Sequence, residues 1–180
     1  MTTFRRSALL VAVLTVALGG GATAWLTGAG AATVPAVKAT PPGFQPNGVN
    51  FSIHTVLDTN FCVEDTPSAA NPTTGAILSQ CAARDNQHWT FANASDGSVV
   101  IISGSGDCLD FGPGKLPVPV SVTPCTFNGS ERFYYSPDGL IESTSGKKCL
   151  EPNAAAQNAS LYIVKCDATT NNDQIWQLSH

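Results

Sequence analysis

Five carboxylates lie in or beside the cysteine-containing segments of this chain, where acid–base chemistry would be possible: Glu64, Asp65, Asp107, Asp110 and Glu151. Two carboxylates that flank one bond can hydrolyse a glycoside. Here the corresponding carboxylates lie in different repeats of a pattern that occurs three times in the chain, and a folded domain would hold those repeats far apart. The adjacent Glu64 and Asp65 would point to opposite faces of a strand. No G-x-S-x-G motif occurs either. We therefore predict no catalytic residues and no enzyme activity.

The remaining side chains with ligand chemistry are six cysteines and three histidines. Structural metal sites commonly bring cysteines together at C-x-x-C spacing, which is absent from this sequence. The histidines, His54, His88 and His180, do not cluster along the chain. We therefore predict no metal site and no cofactor.

The first 31 residues have the features of a signal peptide. Arg5 and Arg6 form a charged start, residues 8–18 form an uncharged apolar run, and small residues allow cleavage after Ala31 or Ala24. A retained membrane anchor is the alternative, because a long uncharged stretch follows the arginine pair. The middle of that stretch is rich in Gly and Ala and is only weakly hydrophobic, which favours cleavage. We predict a secreted, extracellular protein.

The rest of the chain repeats a pattern three times. The first cysteines of the repeats are 46 and 41 residues apart, and the ring positions Trp89, Phe133 and Trp176 are 44 and 43 apart. A period of this size marks one supersecondary unit used three times. Six cysteines of an exported chain indicate disulfides, with fifteen possible pairings. Because identical units should be closed identically, the repeat favours Cys62–Cys81, Cys108–Cys125 and Cys149–Cys166.

Short strands must position these residues. The sequence shows no helical periodicity after the N-terminus, and Asp-Gly turns occur at residues 95–98 and 136–139. About four strands fit each unit, and closing three units around a pseudo-threefold axis would leave no sheet edge. The three ring positions would then meet in the core. Residues 32–48 read as a Pro/Gly-rich linker, extended or disordered, before a domain at 49–180.

Cys-Leu/Val-acidic, a second cysteine and then Gln-x-Trp recur in register, with Glu-x-Phe in the second unit. These motifs resemble the ricin B-type lectin family of lectins and related carbohydrate-binding modules, over residues 61–180. The resemblance implies an all-β fold, the β-trefoil, built from three pseudo-symmetric four-stranded units. It also implies binding of galactose-type or xylose-type sugars in shallow pockets, at most one per unit.

In that family the acidic residue and a polar pair before the aromatic bind sugar hydroxyls. A hydroxyl is both donor and acceptor, so a carboxylate and an amide together satisfy it. The second unit has Ser130-Glu131 and the third Asp173-Gln174 as the polar pair. The resemblance implies these carbohydrate-binding residues: Asp110, Glu64, Asn86, Gln87, Glu151 and Gln174. Of the acids only Asp110 has the length usual in the family.

The family also places an aromatic ring two residues before the second cysteine, where the sugar stacks. Ser79, Thr123 and Val164 occupy those positions here. Ring burial supplies much of the affinity of such sites. We therefore predict a carbohydrate-binding, lectin-like domain with partly degenerate sugar sites. The alternative is a sugar-inert β-trefoil that serves as a protein-binding or inhibitor module.

The charge balance limits the other classes of partner. Without Arg5 and Arg6, seven basic residues remain against 13 acidic ones, a net charge near −6. An acidic chain whose only basic pair is Lys147-Lys148 is not suited to nucleic acid or to anionic membranes. We predict carbohydrate or polysaccharide as the partner, with no nucleic acid and no membrane after cleavage of the signal. The sequence leaves the oligomeric state open.

Overall fold

The computed structural model describes residues 44–46, 49–66, 75–146, 148–167 and 172–180. The predicted signal peptide (1–31) and most of the predicted linker (32–48) lie outside these residues. All described residues belong to one compact unit, Ala36–His180. Within them, no helix has the length and apolar character that crossing a membrane would require.

Short strands make up nearly all the regular structure. In chain order they are β1 (Phe44–Pro46), β2 (Ser52–Thr55), β3 (Phe61–Asp65), β4 (Ala76–Gln80), β5 (Trp89–Ala94), β6 (Val99–Ser103), β7 (Asp107–Asp110), β8 (Val118–Pro119), β9 (Ser121–Pro124), β10 (Arg132–Tyr135), β11 (Ile141–Ser143), β12 (Lys148–Pro152), β13 (Ala159–Lys165) and β14 (Trp176–Ser179). A short 3₁₀ turn precedes the last strand of each unit: Asp85–Gln87, Gly129–Glu131 and Asn172–Gln174.

Six strands close into a barrel. β2 pairs with β14, β5 with β6, β6 with β10, and β10 with β11. Single bridges, Phe51 to Trp89 and Leu140 to Ile175, complete the ring. The other strand pairs, β3–β4, β7–β9 and β12–β13, form one hairpin in each unit. The predicted all-β fold of three four-stranded units, the β-trefoil, is therefore confirmed.

The core contains the predicted rings. Trp89, Phe133 and Trp176 are at most 1% exposed. Each indole also has a hydrogen-bond partner, because Trp89 Nε1 donates to Val63 O over 2.9 Å and Trp176 Nε1 to Leu150 O over 3.0 Å. Burial with a satisfied N–H is the arrangement expected of a structural tryptophan rather than a ligand platform.

The three predicted disulfides are confirmed. Each bridge joins the first and second cysteine of one unit, with 17 or 19 residues of sequence separation. The two bridged cysteines lie on adjacent segments of the same hairpin. Each bridge therefore fixes the base of the hairpin whose far end carries the acidic residue of that unit.

Strand β1 lies within the range that the sequence assigns to the linker. It pairs antiparallel with β5, so that Phe44 is opposite Ala94 and Pro46 opposite Ala92. The pairing covers an edge of the β5–β6 hairpin that would otherwise present unpaired backbone groups. This strand is an addition to the four strands of the first unit.

The turn before β7 leaves no space for a side chain at Gly104. A Cβ built there would lie 2.2 Å from Asp85 O, in the 3₁₀ turn that carries Gln87. We expect Gly104→Ala to lower the free energy of unfolding by about 1–3 kcal/mol, as overpacking does. Gly129→Ala is the matched control, because a Cβ at Gly129 meets nothing within 4 Å. Urea denaturation followed by circular dichroism measures both, and equal midpoints would contradict the prediction.

Candidate functional site

The acidic residue of the third unit lies on the outer face of a hairpin. In the β12–β13 register Cys149 is opposite Val164 and Glu151 is opposite Tyr162. Alternation along the strands places these four side chains on one face, while Leu150 and Ile163 are buried on the other. Tyr162 therefore supplies a ring beside Glu151, two residues from the position where the family places one.

The buried amide of Gln174 holds Glu151 in place. Its Nε2 donates to Glu151 Oε2 over 2.8 Å and to Lys165 O over 3.0 Å, and its Oε1 accepts from Asp167 N over 2.8 Å. The 3₁₀ turn Asn172–Gln174 places this side chain under the hairpin. The two predicted site residues of the third unit are thus in direct contact. The buried Gln174 orients the carboxylate of Glu151 by a hydrogen bond.

A cavity of about 290 Å³ opens in front of this pair. Its wall is mostly apolar, and the carboxylate of Glu151 is its charged group; the lining residues are Pro117, Glu151, Pro152, Asn153, Tyr162 and Val164. Pro117 belongs to the second unit and reaches the cavity through β8, where Val118 and Pro119 pair with Ile163 and Tyr162. The site is therefore built by two units.

The first unit repeats the hydrogen-bond network but not the cavity wall. Gln87 Nε2 donates to Glu64 Oε2 over 2.7 Å and to Gln80 O over 2.9 Å. Arg84 Nη1 lies 3.8 Å from the same Glu64 oxygen. Opposite Glu64 the register places Ile77, which is not an aromatic residue. Glu64 and Gln87 are thus brought together as in the third unit, with an aliphatic residue opposite the acid in place of the tyrosine.

Asn86 has a different partner from its neighbour. Its Nδ2 donates to Asp65 O over 2.9 Å. The amide thereby ties the 3₁₀ turn to the end of β3. Its role in sugar binding stays a prediction.

The second unit lacks the contact between acid and amide. Glu131 is fully buried, and its carboxylate accepts hydrogen bonds from Thr126 N, Thr126 Oγ1 and Phe127 N. A carboxylate cannot donate, so Glu131 cannot hold Asp110 as Gln174 holds Glu151. Asp110 Oδ1 instead accepts from Gly112 N over 2.7 Å. Ser121 is the residue opposite Asp110.

Two phenylalanines of the second unit, Phe111 and Phe127, pack elsewhere. Phe111 is buried and packs edge-on against Phe133, with ring centroids 5.6 Å apart. Phe127 packs against a small cluster around the Cys108–Cys125 bridge. Tyr162 is thus the ring that the structure places beside a predicted sugar-binding acid.

Sequence reasoning missed three residues of the cavity wall, Pro117, Pro152 and Asn153. Pro152 is the last residue of β12 and Asn153 follows it, so their closeness in sequence to Glu151 was a usable signal. Pro117 carried no signal, because it lies in an irregular loop of another unit. The register that places Tyr162 opposite Glu151 is seen in the structure and was not predicted from the sequence.

The comparisons with known proteins agree on the fold. Residues 97–180 match the family model of the ricin-type beta-trefoil lectin domain. ThreeFoil, a designed threefold-symmetric protein, superposes with a TM-score of 0.62 at 14% identity, over 73% of this chain and 98% of its own. No curated protein sequence matches the chain significantly.

Two natural proteins are also similar in structure. A non-toxic homologue of type II RIPs from Momordica charantia (bitter gourd), in complex with α-methyl-D-galactoside, has a TM-score of 0.59 at 22% identity. That match covers 73% of this chain and 47% of the homologue, so the chain spans about half the homologue's length. The C-half of the earthworm R-type lectin, in complex with GalNAc, has a TM-score of 0.54 at 16% identity and covers 72% of this chain and 97% of its own.

The family model and the threefold motif pattern support one assignment. The family model spans the second and third units, and the first unit carries the same cysteine pair and Gln-x-Trp motif. The second and third units are thus similar to the ricin-type beta-trefoil lectin domain, and the whole described domain has the β-trefoil fold.

Proposed function

We propose that the protein is a carbohydrate-binding module and that the cavity of the third unit is its principal site. The observation that carries this proposal is the position of Tyr162 opposite Glu151, with both side chains lining one cavity of about 290 Å³. That volume is near the lower end of the range for small-molecule sites. It suits one or two sugar rings rather than a large ligand.

The chemistry of the cavity suits a sugar. A pyranose has apolar C–H faces and polar hydroxyl groups, and the cavity offers Tyr162 and Val164 for the former and Glu151 for the latter. Gln174 donates a hydrogen bond to Glu151 Oε2, whereas Glu151 Oε1 accepts from no donor among the described residues. An ionised carboxylate oxygen accepts a strong hydrogen bond from a ligand hydroxyl. With one ring and few polar contacts, we expect a Kd on the order of millimolar.

The other predicted residues take secondary roles in this proposal. Gln87 and Gln174 are buried and act by positioning Glu64 and Glu151. Glu64 with Asn86, and Asp110 in the second unit, form weaker sites because Ile77 and Ser121, rather than an aromatic residue, lie opposite the acids. Several weak sites on one polysaccharide would still add through effective concentration.

The sugar class and the setting of the protein complete the proposal. Two structurally similar proteins are complexed with a galactoside and with GalNAc, which supports galactose-type sugars before xylose-type ones. We further propose that residues 1–31 are a cleaved signal, that 32–48 link it to the domain at 49–180, and that the mature protein is extracellular and non-enzymatic. Three disulfides suit an oxidising compartment.

A titration followed by NMR tests the proposal. Galactose, xylose and their oligomers are added to the mature domain, and we expect the largest shifts at Glu151, Tyr162 and Val164. Tyr162→Ala should weaken binding about tenfold, because stacking rings contribute about 0.5–1.5 kcal/mol beyond the area they bury. Tyr134→Ala is the matched control, because Tyr134 is an exposed tyrosine on β10, outside the cavity.

Two results would count against this function. If Tyr162→Ala and Tyr134→Ala bound equally well, the third-unit cavity would not be the principal site. If no sugar shifted any of the predicted residues, the sugar-inert alternative, a protein-binding or inhibitor module, would replace the proposal.

A further inference from the structure

The carboxylates of the first and third units differ in how their charge is balanced. Glu64 has the guanidinium of Arg84 3.8 Å from its Oε2. Glu151 has no ion-pair partner among the described residues, and residues 168–171, just before the turn that carries Gln174, contain no charged side chain. The third-unit cavity therefore presents a negative charge that the described part of the protein does not neutralise.

The wall around that charge suits a cation. Tyr162 is the cross-strand partner of Glu151, which brings the two Cβ atoms to about 4.5–5.5 Å. Pro117, Pro152 and Val164 complete an apolar rim. An ammonium group placed here would be attracted by the carboxylate and by the face of the ring together. A neutral hydroxyl can donate a hydrogen bond to the carboxylate, but without a positive charge it gains neither the ion pair nor the cation–π contact.

We propose that this cavity selects sugars that carry a free, protonated amine over their hydroxyl and N-acetyl counterparts. The selection rests on the proposed function, since it specifies the ligand of the same cavity. The C–H face of the sugar stacks on Tyr162 and the ammonium group binds Glu151. The first unit lacks this selectivity, because Arg84 lies beside its carboxylate and Ile77 stands where Tyr162 stands.

Affinities for three matched sugars test this selectivity. Galactosamine, galactose and N-acetylgalactosamine are titrated by NMR at pH about 6, where an aliphatic amine is protonated. We expect galactosamine to bind about tenfold more tightly than galactose, from an exposed ion pair and a cation–π contact together. Raising the salt concentration to about 1 M should remove most of that advantage and leave galactose binding unchanged, because the Debye length is then about 3 Å.

Variants separate the charge from the shape of the cavity. Glu151→Gln keeps an oxygen that accepts from Gln174 and should abolish the preference, so that galactosamine binds no more tightly than galactose. Glu142→Gln is the matched control, because Glu142 lies on β11 of the same unit and does not line the cavity, and it should leave the preference intact. If Glu151→Gln does not fold, the salt dependence of the wild-type protein decides in its place.

The outcomes distinguish this inference from the function on which it rests. Equal affinities for galactosamine and galactose, with shifts at Tyr162, would overturn the selectivity and leave carbohydrate binding standing. Methylammonium binding as tightly as galactosamine would also overturn it, because the sugar ring would then contribute nothing. No shift with any of the three sugars would overturn both.

Discussion

Replacing Trp176 with alanine is expected to lower the free energy of unfolding by about 3–5 kcal/mol, the range for a large buried ring. Trp176 is 1% exposed, and its ring lies in the main core cluster with Phe133 and Trp89. The truncation would leave a cavity at the centre of the barrel and remove the donor to Leu150 O. Urea denaturation followed by circular dichroism measures the loss.

Trp176→Phe is the matched variant. Phe133 already occupies the equivalent position of the second unit, so a phenyl ring suits this place in the repeat. The variant keeps most of the apolar volume and loses the indole N–H, and we expect a cost of about 1–3 kcal/mol for the carbonyl left without that donor. Unfolding midpoints of Trp176→Ala and Trp176→Phe that both equal the wild-type value would show that Trp176 is not part of the core.

Removing the Cys108–Cys125 bridge is expected to cost about 2–5 kcal/mol. Both sulfurs are buried, and Ala92, Val100 and Ile102 pack around them in a second, smaller hydrophobic cluster. The double variant Cys108→Ala/Cys125→Ala thus increases the conformational entropy of the unfolded chain. It also removes two buried sulfur atoms from that cluster. A thermal or urea midpoint measured without reductant gives the effect.

The same bridge can be tested by peptide mapping without reduction. Three fragments should appear, each joining the two cysteines of one unit. Cys62→Ala/Cys81→Ala is the comparison variant, because Cys81 is only partly buried and less packing is lost with it. A bridge between two units, or a double variant of the second unit as stable as the wild type, would contradict the prediction.

Most of the fold could be predicted because the three repeats of the sequence can be aligned with one another. Equivalent positions of cysteines and rings established the unit, its local disulfides and the burial of Trp89, Phe133 and Trp176. Local signals also sufficed for the hairpin turns, where Gly97 and Gly139 have φ values of +81° and +86° in their Asp-Gly dipeptides. Such signals depend only on neighbouring residues.

The site was less predictable, because its quality depends on contacts between distant segments. Side-chain length alone favoured Asp110 over Glu64 and Glu151. In the structure the acid is held by an amide in the first and third units, whereas the buried Glu131 of the second unit can only accept hydrogen bonds. The second unit differs because Glu131 stands where the other units have Gln87 and Gln174. Its carboxylate accepts from backbone N–H groups of a loop, and the spacing of the motifs does not predict those contacts.

The loop around Pro117 belongs to the second unit and forms part of the cavity wall of the third. A single repeat therefore cannot form the complete cavity. A symmetric protein made from three copies of residues 141–180 would keep Glu151, Tyr162 and Gln174 in every copy. It would lack the loop around Pro117, because that loop occurs between β7 and β9 of the second unit. Each pocket of such a protein would stay open on one side. The repeat is the unit of folding here, whereas the binding pocket belongs to the junction of two neighbours.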